Sequence, residues 1–163
     1  MKKLKWILLA EDDAPTAELT TMALAPEKLE CEIVVAHDGL EALDCLRRRG
    51  AFQSRDGGHP VFVLLDLKMP KLDGLEVLRQ IKADAQFKHI PVVMFTSSRE
   101  TADVNRSYQL GANAFVVKPV DFQEFNATLQ GVGQFWAMLN EPPPEAAPAR
   151  TNAGVPVELA AAV

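Results

Sequence analysis

The sequence predicts a doubly wound α/β fold: five parallel strands with helices on both faces. Three observations lead there. Five short apolar runs recur along the chain: WILLA (6–10), EIVVA (32–36), VFVLL (61–65), PVVMF (91–95) and AFVV (114–117). The runs are continuous rather than alternating, as in strands buried on both faces. Helix-like stretches separate them, and five such units in order imply a parallel sheet with right-handed crossovers.

The helices follow from local chemistry. Asp13 can cap the first, with Pro15 in its opening turn and Leu19, Met22 and Ala23 facing inward. Asp38 caps the second, which turns Leu40, Leu43 and Leu46 inward and stops at Gly50. Asp73 caps the third, with Leu75, Leu78 and Ile81 as its apolar side. Residues 99–110 form a weaker fourth with Val104 and Tyr108, ended by Gly111. Asp121 caps the fifth. Two stretches break the rhythm. The connection GAFQSRDGGHP (50–60) is long for its kind, and from Asn140 onward Pro and Ala dominate, as in an extended linker.

Composition narrows the function classes. The 163 residues suit one compact domain, here residues 1–139, followed by a tail over 140–163. A net charge of −5 argues against a nucleic-acid partner, which needs clustered Lys and Arg to neutralise phosphates. The basic run Arg47-Arg48-Arg49 ends a predicted helix, where cations offset the helix dipole. Cys31 and Cys45 make neither a disulfide framework nor a metal site. The apolar part of MKKLKWILLAEDD is too short for a signal peptide, and no stretch is long enough to span a membrane. The expectation is a soluble cytoplasmic protein with no membrane partner.

In open parallel sheets, sites form beyond the carboxyl ends of the strands. Here the first strand delivers Glu11, Asp12 and Asp13 to that edge, and the third delivers Asp66 followed by Lys68. The fourth delivers Thr96 and Ser97, and the fifth Lys118 and Pro119. Taken singly, each is an ordinary cap, turn or strand terminator. Together they make an acid cluster that a hard divalent cation would relieve of its mutual repulsion. Such a site suits phosphoryl chemistry: a carboxylate beside a metal and a lysine can form an acyl phosphate.

The motifs ILLAEDD (7–13), LLDLKMPKLDGLEVL (64–78), PVVMFTSS (91–98) and GANAFVVKPV (111–120) resemble the receiver domain of two-component response regulators. The resemblance implies the flavodoxin/CheY-like fold with strand order 2-1-3-4-5. It also implies Asp66 as phosphoacceptor, and a Mg²⁺ or Mn²⁺ ion on Glu11, Asp12, Asp66 and the backbone carbonyl of Lys68. Thr96 takes the place of the switch hydroxyl, Lys118 of the phosphate-binding amine, and Phe115 of the rotating aromatic. Lys118–Pro119 falls where the family has a cis peptide. Glu11 departs from the commoner Asp, with a longer reach to the metal.

The implied function is a single-domain response regulator, since the tail composition cannot build a core. It would take a phosphoryl group from a histidine kinase and signal by contact, or pass the group on as a relay intermediate. A flavodoxin-like enzyme is the rival from another class, but a nucleotide binder wants a Gly-rich loop where LLAEDDAPT offers acids. The long 50–60 loop, SYQLGANAFVVKPVDFQEF and GQFW further resemble the single-domain regulators paired with phytochromes. This implies a bacteriophytochrome as the kinase and a homodimer. Phe122, Phe125, Leu129, Val132, Trp136 and Leu139 space like a heptad seam, and with Phe135 they mark a dimer or partner face. The tail is a candidate exchanged arm of that dimer.

Overall fold

The computed structural model describes residues 4–144. Five strands form one parallel sheet: β1 (Lys5–Ala10), β2 (Cys31–Ala36), β3 (Val63–Leu65), β4 (Val92–Thr96) and β5 (Ala114–Val117). Their order is β2-β1-β3-β4-β5, as the sequence implied. The strands pair in parallel, with Leu9 opposite both Val35 and Leu64, and Leu64 opposite Val93. Only Val63–Leu65 of the VFVLL run pairs as regular strand. Val61 and Phe62 are buried nonetheless and bond to β1 through Trp6 O and Leu8 N.

The helices are α1 (Ala14–Leu24), α2 (Pro26–Leu29), α3 (Gly39–Arg47), α4 (Gly74–Ala83), α5 (Thr101–Gln109) and α6 (Phe122–Gly133). The four expected Asp caps form. Asp13, Asp38, Asp73 and Asp121 accept the backbone N–H of Thr16, Glu41, Glu76 and Glu124 at 2.8–3.0 Å. The short α2 was not foreseen; Ala25 and Glu30, both in the left-handed region, bracket it.

Period-two alternation divides the core. Trp6, Leu8 and Ala10 of β1 join Leu43, Leu46, Val77, Leu78 and Ile81 on the α3–α4 side. Ile7 and Leu9 join Ala17, Leu24, Phe125, Leu129 and Val132 on the α1–α6 side. Each Leu or Ile so buried stabilises the fold by about 1.5–3 kcal/mol relative to exposure.

Several expected inward faces turn out otherwise. α1 buries Ala17, Thr20, Ala23 and Leu24, leaving Leu19 and Met22 exposed. The small residues let α1 lie close to α6, where a Cβ on Gly133 would stand 3.0 Å from Leu29 Cδ1 and 3.3 Å from Leu24 Cδ2. Leu40 is exposed in the first turn of α3, which closes on Arg48 at φ 54° before Gly50 is reached. Tyr108 of α5 is also exposed. After α6 the helix widens into a π-type turn over Gln134–Leu139, closed by Asn140 N–H on Phe135 O.

The expected dimer face is divided. Phe125 is buried and tilts against Phe95 at 5.7 Å, so it belongs to the core and not to a partner surface. Trp136 packs against the same core and meets Phe135 edge-on at 4.9 Å. Phe122, Phe135 and Leu139 remain exposed. Among the described residues no peptide bond is cis. Lys118–Pro119 is therefore trans, the isomer an X–Pro bond intrinsically prefers.

Candidate functional site

Strand register gathers the acids. The N–H of Glu11 donates to Ala36 O at 3.0 Å, and that of Asp66 to Ala10 O at 3.1 Å. The two carboxylates therefore leave adjacent central strands at the same level. Oxygens of Glu11, Asp12 and Asp66 all lie within 4.8 Å of one another. Glu11 is 3% exposed and Asp66 9%, while Asp12 reaches solvent. Asp13 stands apart, its carboxylate spent on capping α1 and on the Thr16 hydroxyl.

Lys118 arrives from the end of β5. Its Nζ lies 3.1 Å from both Glu11 carboxylate oxygens and 3.0 Å from Asp66 Oδ2, and 5.7 Å from the Phe95 ring centroid. Its own N–H donates to Thr96 O at 2.7 Å, which ties the ends of β4 and β5. Thr96 is buried, and its hydroxyl oxygen accepts the N–H of Ser98 at 3.3 Å. Phe115, opposite Met94, is half-buried against the α3–α4 core. The side chain of Lys68 is exposed. The structure thus brings Glu11, Asp12, Asp66 and Lys118 together, with Thr96 at the neighbouring strand end.

Burial, and a hydrogen bond shared with the Asp66 carboxyl, push Glu11 from the ordinary 4.5 up to about 8 against the pull of Lys118. A folded pKa above the unfolded one means that the native state holds a proton the unfolded chain has released. Metal-free protein is therefore expected to lose stability as pH rises from about 4.5 to about 8. Denaturant titrations across that window check this. Saturating Mg²⁺ is expected to flatten the slope, because a cation favours the ionised carboxylate; an unchanged slope would count against Glu11 as a ligand of this candidate cation site.

The loop after Asp66 is held by residues that sequence patterning did not single out for this role. Lys71, at φ 66°, pairs through Nζ with Asp38 Oδ2 at 3.2 Å. A Cβ on Gly39 would lie 2.0 Å from Leu72 O, and one on Gly74 1.9 Å from Asp66 O. Gly74 N–H also donates to Leu67 O at 2.7 Å. On the far side of the site, the Ser98 hydroxyl donates to the Asp103 carboxylate at the start of α5. Lys82 sends its ammonium inward to Lys88 O, Ile90 O and Asn113 Oδ1, joining the loops before β4 and β5. The Asp73 cap is the one sequence signal for this scaffold. The partners of Lys71 and Lys82 lie 33 and 31 residues away in the farthest cases and leave no local trace.

The donor set is all oxygen, carboxylate and exposed to solvent on one side, and it fits a hard divalent cation rather than a thiolate-loving metal. Among the described residues no helix is long and apolar enough to cross a membrane.

Comparison with known proteins agrees with this geometry. Residues 7–130 match the response regulator receiver domain family. Response regulator Rcp1 of Synechocystis sp. is 36% identical over 132 residues, 81% of this chain and 88% of its own length. Its Mn²⁺-bound crystal structure superposes with a TM-score of 0.79, covering 85% of this chain and 99% of that one. The phosphorylated cyanobacterial phytochrome response regulator RcpA is 35% identical with a TM-score of 0.80, over 85% of this chain and 98% of that one. The bacteriophytochrome response regulator AtBRR is 56% identical, with a TM-score of 0.68, over 86% of this chain and all of that one. The chain belongs to the response regulator receiver domain family, as a homologue of phytochrome-associated regulators.

Proposed function

We propose that this receiver accepts a phosphoryl group on Asp66 from the phosphohistidine of a bacteriophytochrome kinase, and signals through the resulting change of packing. The observation that carries the reading is the Asp66 carboxylate inside a cluster of three acids with Lys118 Nζ at 3.0 Å. In the transfer an Asp66 oxygen attacks phosphorus, the P–N bond to the kinase imidazole breaks, and an acyl phosphate forms. Lys118 is placed to accompany a phosphoryl oxygen as the negative charge of Asp66 moves onto the phosphoryl group. Thr96, one strand away, supplies a hydroxyl that can turn from Ser98 N–H toward the new group. Phe115 on β5 stands opposite Met94 of β4, two residues before Thr96, so a shift at Thr96 can reach it through β4.

A Mg²⁺ ion held by Glu11, Asp12, Asp66 and the Lys68 carbonyl would neutralise charge on the transferring group. The product carries about −1.5 to −2 charge where the carboxylate carried one, and it places new phosphoryl oxygens in a pocket already rich in carboxylates, so it shifts the balance between two packings rather than simply filling a site. The module is a signalling one, and its chemistry stays on its own side chain. The homodimer expected from the sequence belongs to the same reading, with Phe122, Phe135 and Leu139 exposed as its apolar face. Residues 145–163 of the expected arm lie outside the described residues.

Acetyl phosphate labelling followed by Phos-tag electrophoresis tests the assignment. The chain is expected to shift in Mg²⁺ and to remain unmodified in EDTA. No shift in Mg²⁺ with either acetyl phosphate or a phosphorylated kinase would overturn it.

A further inference from the structure

Two features of the sequence play no part in the acid pocket: the long 50–60 loop and the proline run at the root of the tail. The structure brings them together at the amino-terminal edge of the sheet, opposite Asp66 and Thr96. The loop is anchored there. Trp6 Nε1 donates to Gly58 O at 3.1 Å, and the Arg55 guanidinium lies 4.7 Å from the Trp6 ring centroid. His59 then packs edge-on against Phe87 at 5.4 Å. Pro60 and Val61, entering β3, and Ile90 and Pro91, entering β4, are buried. They floor a cleft between the two entering loops.

Pro142, Pro143 and Pro144 line this cleft together with His59, Gln86 and His89, around a space of about 130 Å³ that opens to solvent; Pro142 is half-buried there and Pro143 and Pro144 are exposed. Three successive prolines need little ordering to dock, because their extended polyproline conformation is already set. Aromatic-lined grooves take such segments, and here the rings are those of His59 and His89. The loop side of the groove is anchored by contacts outside the tail: Trp6 to Gly58, Arg55 over Trp6, and His59 against Phe87.

We propose that this cleft is a docking site for the chain's own Pro142–Pro144 segment, which straps the root of the tail across the amino-terminal edge of the sheet. The strap joins the loop entering β3 to the loop entering β4, the two strands that carry Asp66 and Thr96 at their other ends. It also roots the tail on the edge away from the acid pocket, leaving that pocket open to a phosphodonor. The inference stands independently of the phosphorylation reading.

Imidazole NMR of the full chain tests it, since the three histidines divide conveniently. His59 and His89 rim the cleft, while His37 is exposed at the opposite edge beside Glu41 and serves as the internal control. The variant P142S/P143S/P144S is expected to move the His59 and His89 cross-peaks and leave that of His37 in place. Amide exchange at Gly57 and Gly58 is expected to quicken in the same variant. In the parent, the His59 and His89 positions should be the same at micromolar and near-millimolar concentration. Unmoved peaks in the variant would overturn the strap. Parent peaks that match the variant when dilute and depart from it only on concentration would also overturn it, by assigning the cleft to the tail of a second copy.

Discussion

Asp66→Asn is expected to fold as the parent does and to take up no phosphoryl label from acetyl phosphate or a kinase. The amide keeps the shape of the carboxyl and can still accept from Lys118 Nζ, now 3.0 Å from Asp66 Oδ2. It lacks the anionic oxygen that attacks phosphorus, so the loss is complete rather than partial. The variant also removes one negative charge from beside Glu11, whose elevation to about 8 comes in part from Asp66. Glu11 should then titrate lower, and the decline in stability between pH 4.5 and 8 should become shallower. Affinity for Mg²⁺ should fall, with one of three clustered carboxylates gone. Intact-mass analysis after labelling and a denaturant titration at two pH values check these outcomes together. Persistent labelling of the variant would overturn the assignment of Asp66 proposed above.

Gly74→Ala is expected to cost about 3 kcal/mol or more, the upper part of the range for overpacking. Its new Cβ would stand 1.9 Å from the carbonyl oxygen of Asp66 and 2.8 Å from Leu67 Cα. Both neighbours are backbone, so no side chain can rotate away. The first turn of α4 and the end of β3 would have to separate, and the Gly74 N–H bond to Leu67 O at 2.7 Å would be lost with them. For a chain of this length that corresponds to a fall in Tm of about 10 °C, measurable by circular dichroism. Asp73→Ala next door makes the contrast. It removes only the cap bond to Glu76 N–H at 2.9 Å and should cost about 1 kcal/mol. Because Gly74 bears on the backbone of Asp66 itself, its variant should also label poorly in whatever fraction remains folded. A stability within about 1 kcal/mol of the parent would show that the helix start yields more readily than its close approach implies.

The two variants differ in what the sequence reveals about them. The place of Asp66 at the acid cluster was legible from sequence because its signal is repeated across the chain: an apolar run into an acid, with acids, a threonine and a lysine ending three other such runs. The caps at Asp38, Asp73 and Asp121 were legible for a simpler reason, since donor and acceptor lie three residues apart. Leu19 and Met22 were misread because α1 is apolar on more than one side, and only the close fit against α6 decides which side is buried. Phe125 and Leu139 share one spacing pattern, yet one is core and the other surface, because the π-type turn after Gly133 changes the phase of the helix.

By itself, then, the sequence determined the strand–helix alternation, the helix caps and the set of acids at one edge. All of these rest on residue type and short spacing, which chain connectivity preserves. Only the tertiary structure decided that Lys118 stands between Glu11 and Asp66, that Lys71 reaches Asp38, that Gly74 touches the carbonyl of Asp66, and that the prolines of the tail line a cleft at the opposite edge. Those contacts depend on where separate strands and loops come to rest. Distances of a few ångströms between residues far apart in sequence are set by packing as a whole, and no local pattern encodes them.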